Sequence, residues 1–239
     1  MNKPSNQSAI LSPVLATVIA EVLTLPICTV KTRYQNTKNI SIPDTVQQLY
    51  NQSGIKGFYK ASYSAIGSQI LSTTSKYFIY SELKHITGRN SNSDLILFGM
   101  ISGGLSTIIT HPFDTIKIHI QMKPVEAIKD IRSQGYKLLY RGYSKSLSKA
   151  VIGSSLFFPI YDMTQKRVNN PAISALVSSV ISTTILHPID YLKVRHIYGQ
   201  ELYQSWNPLR YYKGYILNLS RIVPHFIITM TCIEYFNRL

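Results

Sequence analysis

Three octapeptides decide how this chain folds: Pro26-Ile27-Cys28-Thr29-Val30-Lys31-Thr32-Arg33, Pro112-Phe113-Asp114-Thr115-Ile116-Lys117-Ile118-His119 and Pro188-Ile189-Asp190-Tyr191-Leu192-Lys193-Val194-Arg195. They share the pattern Pro-x-acid-x-x-Lys-x-basic, with Cys28 in place of the first acid. The prolines lie 86 and 76 residues apart. A second landmark follows each: Gly54 then Tyr59-Lys60-Ala61, Gly135 then Tyr140-Arg141-Gly142, and Tyr212-Lys213-Gly214 without an upstream glycine. Two motifs recurring in the same order in each third of the chain mark an internal triplication.

Working outward, each third reads as a long helix running beyond the proline motif, a polar segment with a short helix, and a second long helix. The long helices are expected near 9–36, 61–86, 94–122, 143–168, 171–199 and 214–238. Repeat 1 then spans about 9–86, repeat 2 about 94–168 and repeat 3 about 171–238, all within one domain of 239 residues. The Gly-, Asn- and Ser-rich stretch 86–93 and the dipeptide Asn170-Pro171 punctuate the repeats. Residues 4–20, 61–75, 95–113 and 168–189 carry no Asp, Glu, Lys or Arg. Two of these runs are long enough to cross a hydrocarbon core. The mean hydropathy of only +0.03 points to helices with one apolar and one polar face, as around a water-filled cavity. The expected class is therefore an all-α membrane protein, six transmembrane helices in three hairpins around a central cavity. Small residues at four-residue spacing in the first helix of each repeat, such as Ala16 and Ala20 or Gly99 and Gly103, allow close helix approach.

Net charge is +14, yet only 15% of residues are charged. That is low for a soluble nucleic-acid binder, so no nucleic-acid partner is expected despite 17 tyrosines. Segments 31–60, 117–145 and 193–213 hold 16 of the 25 basic residues and only 4 of the 11 acids, which makes one membrane face cationic. Two cysteines, Cys28 and Cys232, give no disulfide framework. Met1 to Ser8 lacks the pattern of a signal or transit peptide. His111 and His187 precede two of the motif prolines, but no Cys or carboxylate completes a ligand set, so no metal is expected. No Ser-His-Asp set or Gly-rich phosphate loop is present, and an enzyme is not expected.

Locally, each of Pro26, Pro112 and Pro188 removes a helix hydrogen bond and favours a kink. The acid and the lysine of each motif stand three residues apart on one helix face.

The threefold motif, followed by Gly-x-x-x-x-aromatic-basic-Gly, resembles the mitochondrial carrier signature from about residue 9 to 239. By that resemblance the motif acids pair with lysines of neighbouring helices in a matrix-side gate: Lys31, Asp114, Lys117, Asp190 and Lys193, braced by Gln35 and Gln121. With Cys28 in the first motif, at most two pairs are expected and the gate should be weak. The opposite gate falls on Lys84, Asp162 and Glu234, and Ser81, Gln165 and Asn237 leave it degenerate. Substrate-contact positions fall on Ser68, Lys149 with Ala150, and Arg221. Two cations aimed at one cavity predict an anionic substrate, and the fork of Arg with the point charge of Lys suits phosphate.

The resemblance thus implies a monomeric antiporter of nucleotides or deoxynucleotides, working by alternating access in the mitochondrial inner membrane. A carrier of another phosphorylated cofactor or organic anion, or a non-transporting membrane adaptor, is the alternative. Tyr63, Tyr77 and Tyr80 are stacking candidates if they face the cavity, and packing or interfacial residues otherwise. Arg221 is either a substrate contact or a structural ion pair with Glu21 or Asp162. No cofactor is implied, but the Tyr-basic-Gly landmarks at helix N-termini resemble places where cardiolipin headgroups are held. The Asn-, Ile- and Tyr-rich composition suggests an AT-rich genome, as in a protist or a giant virus; the membrane would then be that of the host's mitochondria.

Overall fold

The computed structural model describes residues 6–88, 92–203 and 206–238, and among them every regular element is helical. Six helices are long: α1 (Asn6–Asn36), α4 (Ser62–Thr87), α5 (Asn92–Met122), α8 (Tyr143–Val168), α9 (Pro171–Tyr198) and α10 (Tyr215–Arg238). Between α1 and α4 lie α2 (Ile42–Ser53) and α3 (Lys56–Tyr59); between α5 and α8 lie α6 (Pro124–Gln134) and α7 (Tyr136–Leu139). The third such connection is shorter and, among the described residues, holds only the 3-10 turn Pro208–Tyr212.

Local chemistry explains the boundaries. Ser41 caps α2 by accepting the Asp44 N–H, with Pro43 just inside the helix. Gly88 ends α4 in the left-handed conformation at φ 62°. The long helices continue unbroken through Pro26, Pro112 and Pro188.

The long helices pack in a closed ring, α1 against α4, α4 against α5, α5 against α8, α8 against α9, α9 against α10, and α10 back against α1. The ring is inverted relative to a soluble bundle. Leu15, Leu23, Leu97, Leu105, Ile181 and Ile185 are exposed on its outside, while Glu21, Lys31, Ser106, Thr115, Ser178 and Arg195 are buried within. An apolar rim around a polar interior suits lipid outside and water inside. It also explains why the hydropathy total sits near zero. Of the described helices, only Pro13–Asn36 and Ile96–Met122 are long and apolar enough to cross a membrane on composition alone.

Gly142 and Gly214 show why the second landmark ends in glycine. Both adopt φ near 80° and abut a neighbouring long helix: a Cβ would lie 3.1 Å from Ile197 Cγ1 at Gly142, and 3.1 Å from Gln35 Cγ at Gly214. Ala61, at the corresponding place in the first third, has φ −90° and needs no glycine. Gly142→Ala is therefore expected to cost about 1–3 kcal/mol, and Ala61→Gly less than about 1 kcal/mol. Thermal unfolding in detergent reads both, and equal transition temperatures for the two variants would refute this account.

Candidate functional site

Where α1, α5 and α9 converge, each motif lysine meets a carboxylate of another helix. Lys31 donates to Asp190 and also, at 2.7 Å, to Asn218 Oδ1. Lys193 donates to Asp114 Oδ2 at 2.8 Å. Lys117 has no acid at position 28 to meet, and donates instead to Glu21, seven residues earlier on α1. The expected limit of two pairs is thus corrected to three. Glu21 lies two turns up the same helix, about 10 Å along its axis, and the long lysine stem spans the offset. Its side chain is only 1% exposed, deep enough that an unpaired carboxylate there would be costly.

Each of these acids has a second partner on the other helix set. Ser68 Oγ of α4 donates to Asp114 Oδ1 at 2.7 Å, Lys149 of α8 donates to Asp190, and Arg221 Nη2 of α10 donates to Glu21 Oε2 at 2.6 Å. Three carboxylates therefore tie together all six long helices. Of the two readings of Arg221, the structural pair is present, and its partner is Glu21. His225 Nε2 stands 3.8 Å from the same carboxylate.

A second cyclic set lies further toward the ends of α1, α5 and α9. Arg33 Nε donates to the Gln121 carbonyl at 2.8 Å, His119 Nε2 to the Ile197 carbonyl at 3.2 Å, and Arg195 Nη1 to the Gln35 carbonyl at 3.1 Å. The final basic residue of each motif thus caps the C-terminal carbonyls of the next helix, where no intrahelical donor exists and positive charge is favoured. Sequence reading gave these residues no role, although their fixed place after each motif lysine was the available signal. Gln35 and Gln121 are corrected: neither side chain touches a lysine–carboxylate pair. Gln35 Nε2 donates to the Lys213 carbonyl at 3.1 Å and Gln121 Nε2 to Thr29 Oγ1 at 3.2 Å. They stand one turn beyond the motif lysines, level with the capping bonds rather than with the ion pairs.

The two landmarks of each third are also bonded to each other. Thr29 donates to the Phe58 carbonyl and Thr115 to the Leu139 carbonyl. His111 Nε2 donates to the Arg141 carbonyl at 3.0 Å, and His187 Nε2 lies 3.3 Å from the Lys213 carbonyl. These histidines orient backbone, which accounts for their placement before the prolines. Outside the helices, the Lys213 ammonium packs over the Tyr34 ring at 4.6 Å, and burial followed by the neighbouring Arg195 guanidinium pushes its pKa down.

Above the ion pairs a cavity of about 420 Å³ opens between α4, α5, α8 and α9. Ser68, Lys149 and Ala150 line it, as do Ser72, Lys76, Ser106, Thr110 and Lys193. Arg221 is not in this wall. No aromatic ring lines the cavity among the described residues. Tyr63 is corrected as a stacking candidate, since it is 92% exposed on the outside. Tyr80 is half-buried away from the lining, and the Tyr77 side chain lies outside the described residues. Of the opposite set, Lys84 is exposed, while the side chains of Asp162 and Glu234 lie outside the described residues. Lys76 was missed, although Ser68, Ser72 and Lys76 follow one another at four-residue spacing on a single face of α4. Among the described residues, no group of three His, Cys, Asp or Glu side chains could hold a metal.

The family model described as mitochondrial carrier protein matches residues 2–91 and 88–172. The mitochondrial carrier-like protein L276 of Acanthamoeba polyphaga mimivirus is 48% identical over 224 residues, covering 94% of this chain and 93% of that protein. Mitochondrial substrate carrier family protein ucpA of Dictyostelium discoideum is 25% identical over 292 residues, covering 100% of this chain and 95% of that protein. Nicotinamide adenine dinucleotide transporter 1, chloroplastic, of Arabidopsis thaliana is 23% identical, with 93% and 88% covered.

Proposed function

The chain belongs to the mitochondrial carrier family, and from that premise we propose that it exchanges anionic solutes, nucleotides or deoxynucleotides first among them, across the mitochondrial inner membrane. In this reading α1, α4, α5, α8, α9 and α10 all span the bilayer. The inverted distribution of polar and apolar side chains supports that, because even the less apolar helices turn their polar faces inward.

One observation carries the choice of an anion. Lys31, Lys76, Lys117, Lys149, Lys193 and Arg221 face three carboxylates, Glu21, Asp114 and Asp190, a surplus of three positive charges in and just below the cavity. Such a surplus is stable within a membrane only if water or an anionic ligand meets it. The nucleotide choice also draws on the relative named for nicotinamide adenine dinucleotide transport.

The mechanism follows from the double bonding of each acid. The ion-pair ring closes the cationic end of the bundle. A phosphate that takes Lys149 or Arg221 removes one of the two donors from Asp190 or Glu21, so solute binding lowers the cost of breaking the ring. Transport requires that the solute bind this opened intermediate better than the closed state. Ser68 holds Asp114 in the same way, through a neutral bond. The free backbone N–H groups at the starts of α4, α8 and α10 would hold cardiolipin headgroups at the cationic face.

Reconstituted protein in liposomes preloaded with unlabelled nucleotide should take up labelled nucleotide with time, and empty liposomes should take up far less. The hydroxyl-and-lysine lining, without an aromatic ring among the described residues, favours a smaller phosphorylated or organic anion as the second reading. Exchange of such an anion with no exchange of any nucleotide would select it.

A further inference from the structure

We infer that Lys76 is the residue on which the anionic solute first docks, before the other cationic side chains at this site are released to it. The inference rests on the carrier reading above and adds a binding residue to it.

The cations at this site differ in what they already hold. Lys149 and Arg221 donate to Asp190 and Glu21, and Lys31, Lys117 and Lys193 each hold a carboxylate. Moving any of them onto a phosphate exchanges one ion pair for another. Lys76 lines the same cavity, is exposed to it, and makes no hydrogen bond or ion pair among the described residues. An anion that meets Lys76 gains a charge-assisted bond without breaking one.

Position supports the assignment. Lys76 lies mid-way along α4 (Ser62–Thr87), too far from either end for its side chain to reach a headgroup region. A cation at that depth needs water or an anion. It stands eight residues beyond Ser68, about 12 Å along the helix, on the side away from the ion-pair ring. A solute entering from the open end therefore passes Lys76 before it reaches Lys149, Ser68 and Asp114. Ser72 and Gln69 line the wall beside it and supply neutral donors. Lys76 sets affinity, and release of Lys149 and Arg221 from their acids sets turnover.

The test is exchange in liposomes, with initial rates measured against the external concentration of nucleoside mono-, di- and triphosphates. Lys76→Gln should raise the half-saturation concentration about ten- to hundredfold, with the maximal rate within about twofold of the wild type. The increase should be largest for the triphosphate. Lys76→Arg should stay close to wild type, because charge rather than shape is needed. An unshifted half-saturation in Lys76→Gln, or a Lys76→Arg defect as large as that of Lys76→Gln, would overturn the assignment while leaving the carrier reading intact. If the wild type exchanges only another anion, the same split is expected with that anion. A wild-type protein that moves no solute overturns both.

Discussion

Replacing Glu21 by Gln is expected to lower solute exchange at least about 100-fold and to bring the unfolding temperature in detergent down by on the order of 10 °C. The physical basis is the removal of the one carboxylate shared by Lys117 and Arg221. Both cations would then sit together with no acid between them, and breaking a buried pair in this way costs about 3–5 kcal/mol. Applied to a conformational barrier, that is a factor of about 10² to 10⁴ in rate. Loss of activity alone would not separate a functional from a structural role, so the informative experiment is rescue. Cys28→Asp in the Glu21→Gln background places a carboxylate at the position that Asp114 and Asp190 occupy in the other motifs, where Lys117 can reach it. Exchange should return to within about tenfold of the wild type, and Cys28→Asn should not restore it. Full activity in Glu21→Gln, or rescue by the asparagine, would remove Glu21 from the gate.

The second large effect concerns which ion pair tolerates reversal. Asp114 is held by one cation, Lys193, and one neutral hydroxyl, Ser68. Lys193→Asp combined with Asp114→Lys keeps the pair, because the Ser68 hydroxyl can accept as readily as it donates. Asp190 is held by two cations, Lys31 and Lys149. Lys31→Asp with Asp190→Lys restores one pair but sets the new lysine against Lys149, a buried like-charge contact. The first double variant should keep exchange within about tenfold of the wild type, and the second should lose at least about 100-fold. Comparable losses in both would show that the second partner of each acid does not govern the ring.

Much of the fold is readable from short segments. The long-helix boundaries expected near 61–86, 143–168 and 171–199 fall within one residue of Ser62–Thr87, Tyr143–Val168 and Pro171–Tyr198. Helix ends are local events, set by glycine, proline and the change from apolar to polar residues, so they are written where they occur. The third polar connection was less legible. It has the fewest residues, and it forms a 3-10 turn where the others form helices.

The site was legible only in its composition. Lys31, Lys117, Lys193, Asp114 and Asp190 are motif residues and were named as such. The third acid, Glu21, lies outside the motif at a spacing that no repeat shares, so alignment of the repeats skips it. The capping basics, Arg33, His119 and Arg195, were inside the motif but without an assigned partner, because the carbonyls they meet belong to other repeats. Gln35 and Gln121 had the right periodicity and the wrong height, one turn past the lysines. Tyr63 had the right chemistry and the wrong side of its helix.

By itself the sequence determined the triplication, the six long helices, the cationic face and an excess of positive charge over acids along the inner faces. These follow from order along the chain and from periodicity. Only the tertiary structure decided that Lys117 finds Glu21 in place of the missing acid, that Arg221 is already held, and that Lys76 is left to face the cavity. Partner choice depends on how far one helix is shifted along another, and the offset of two turns, about 10 Å, that brings Glu21 to Lys117 is set by packing that no local pattern encodes.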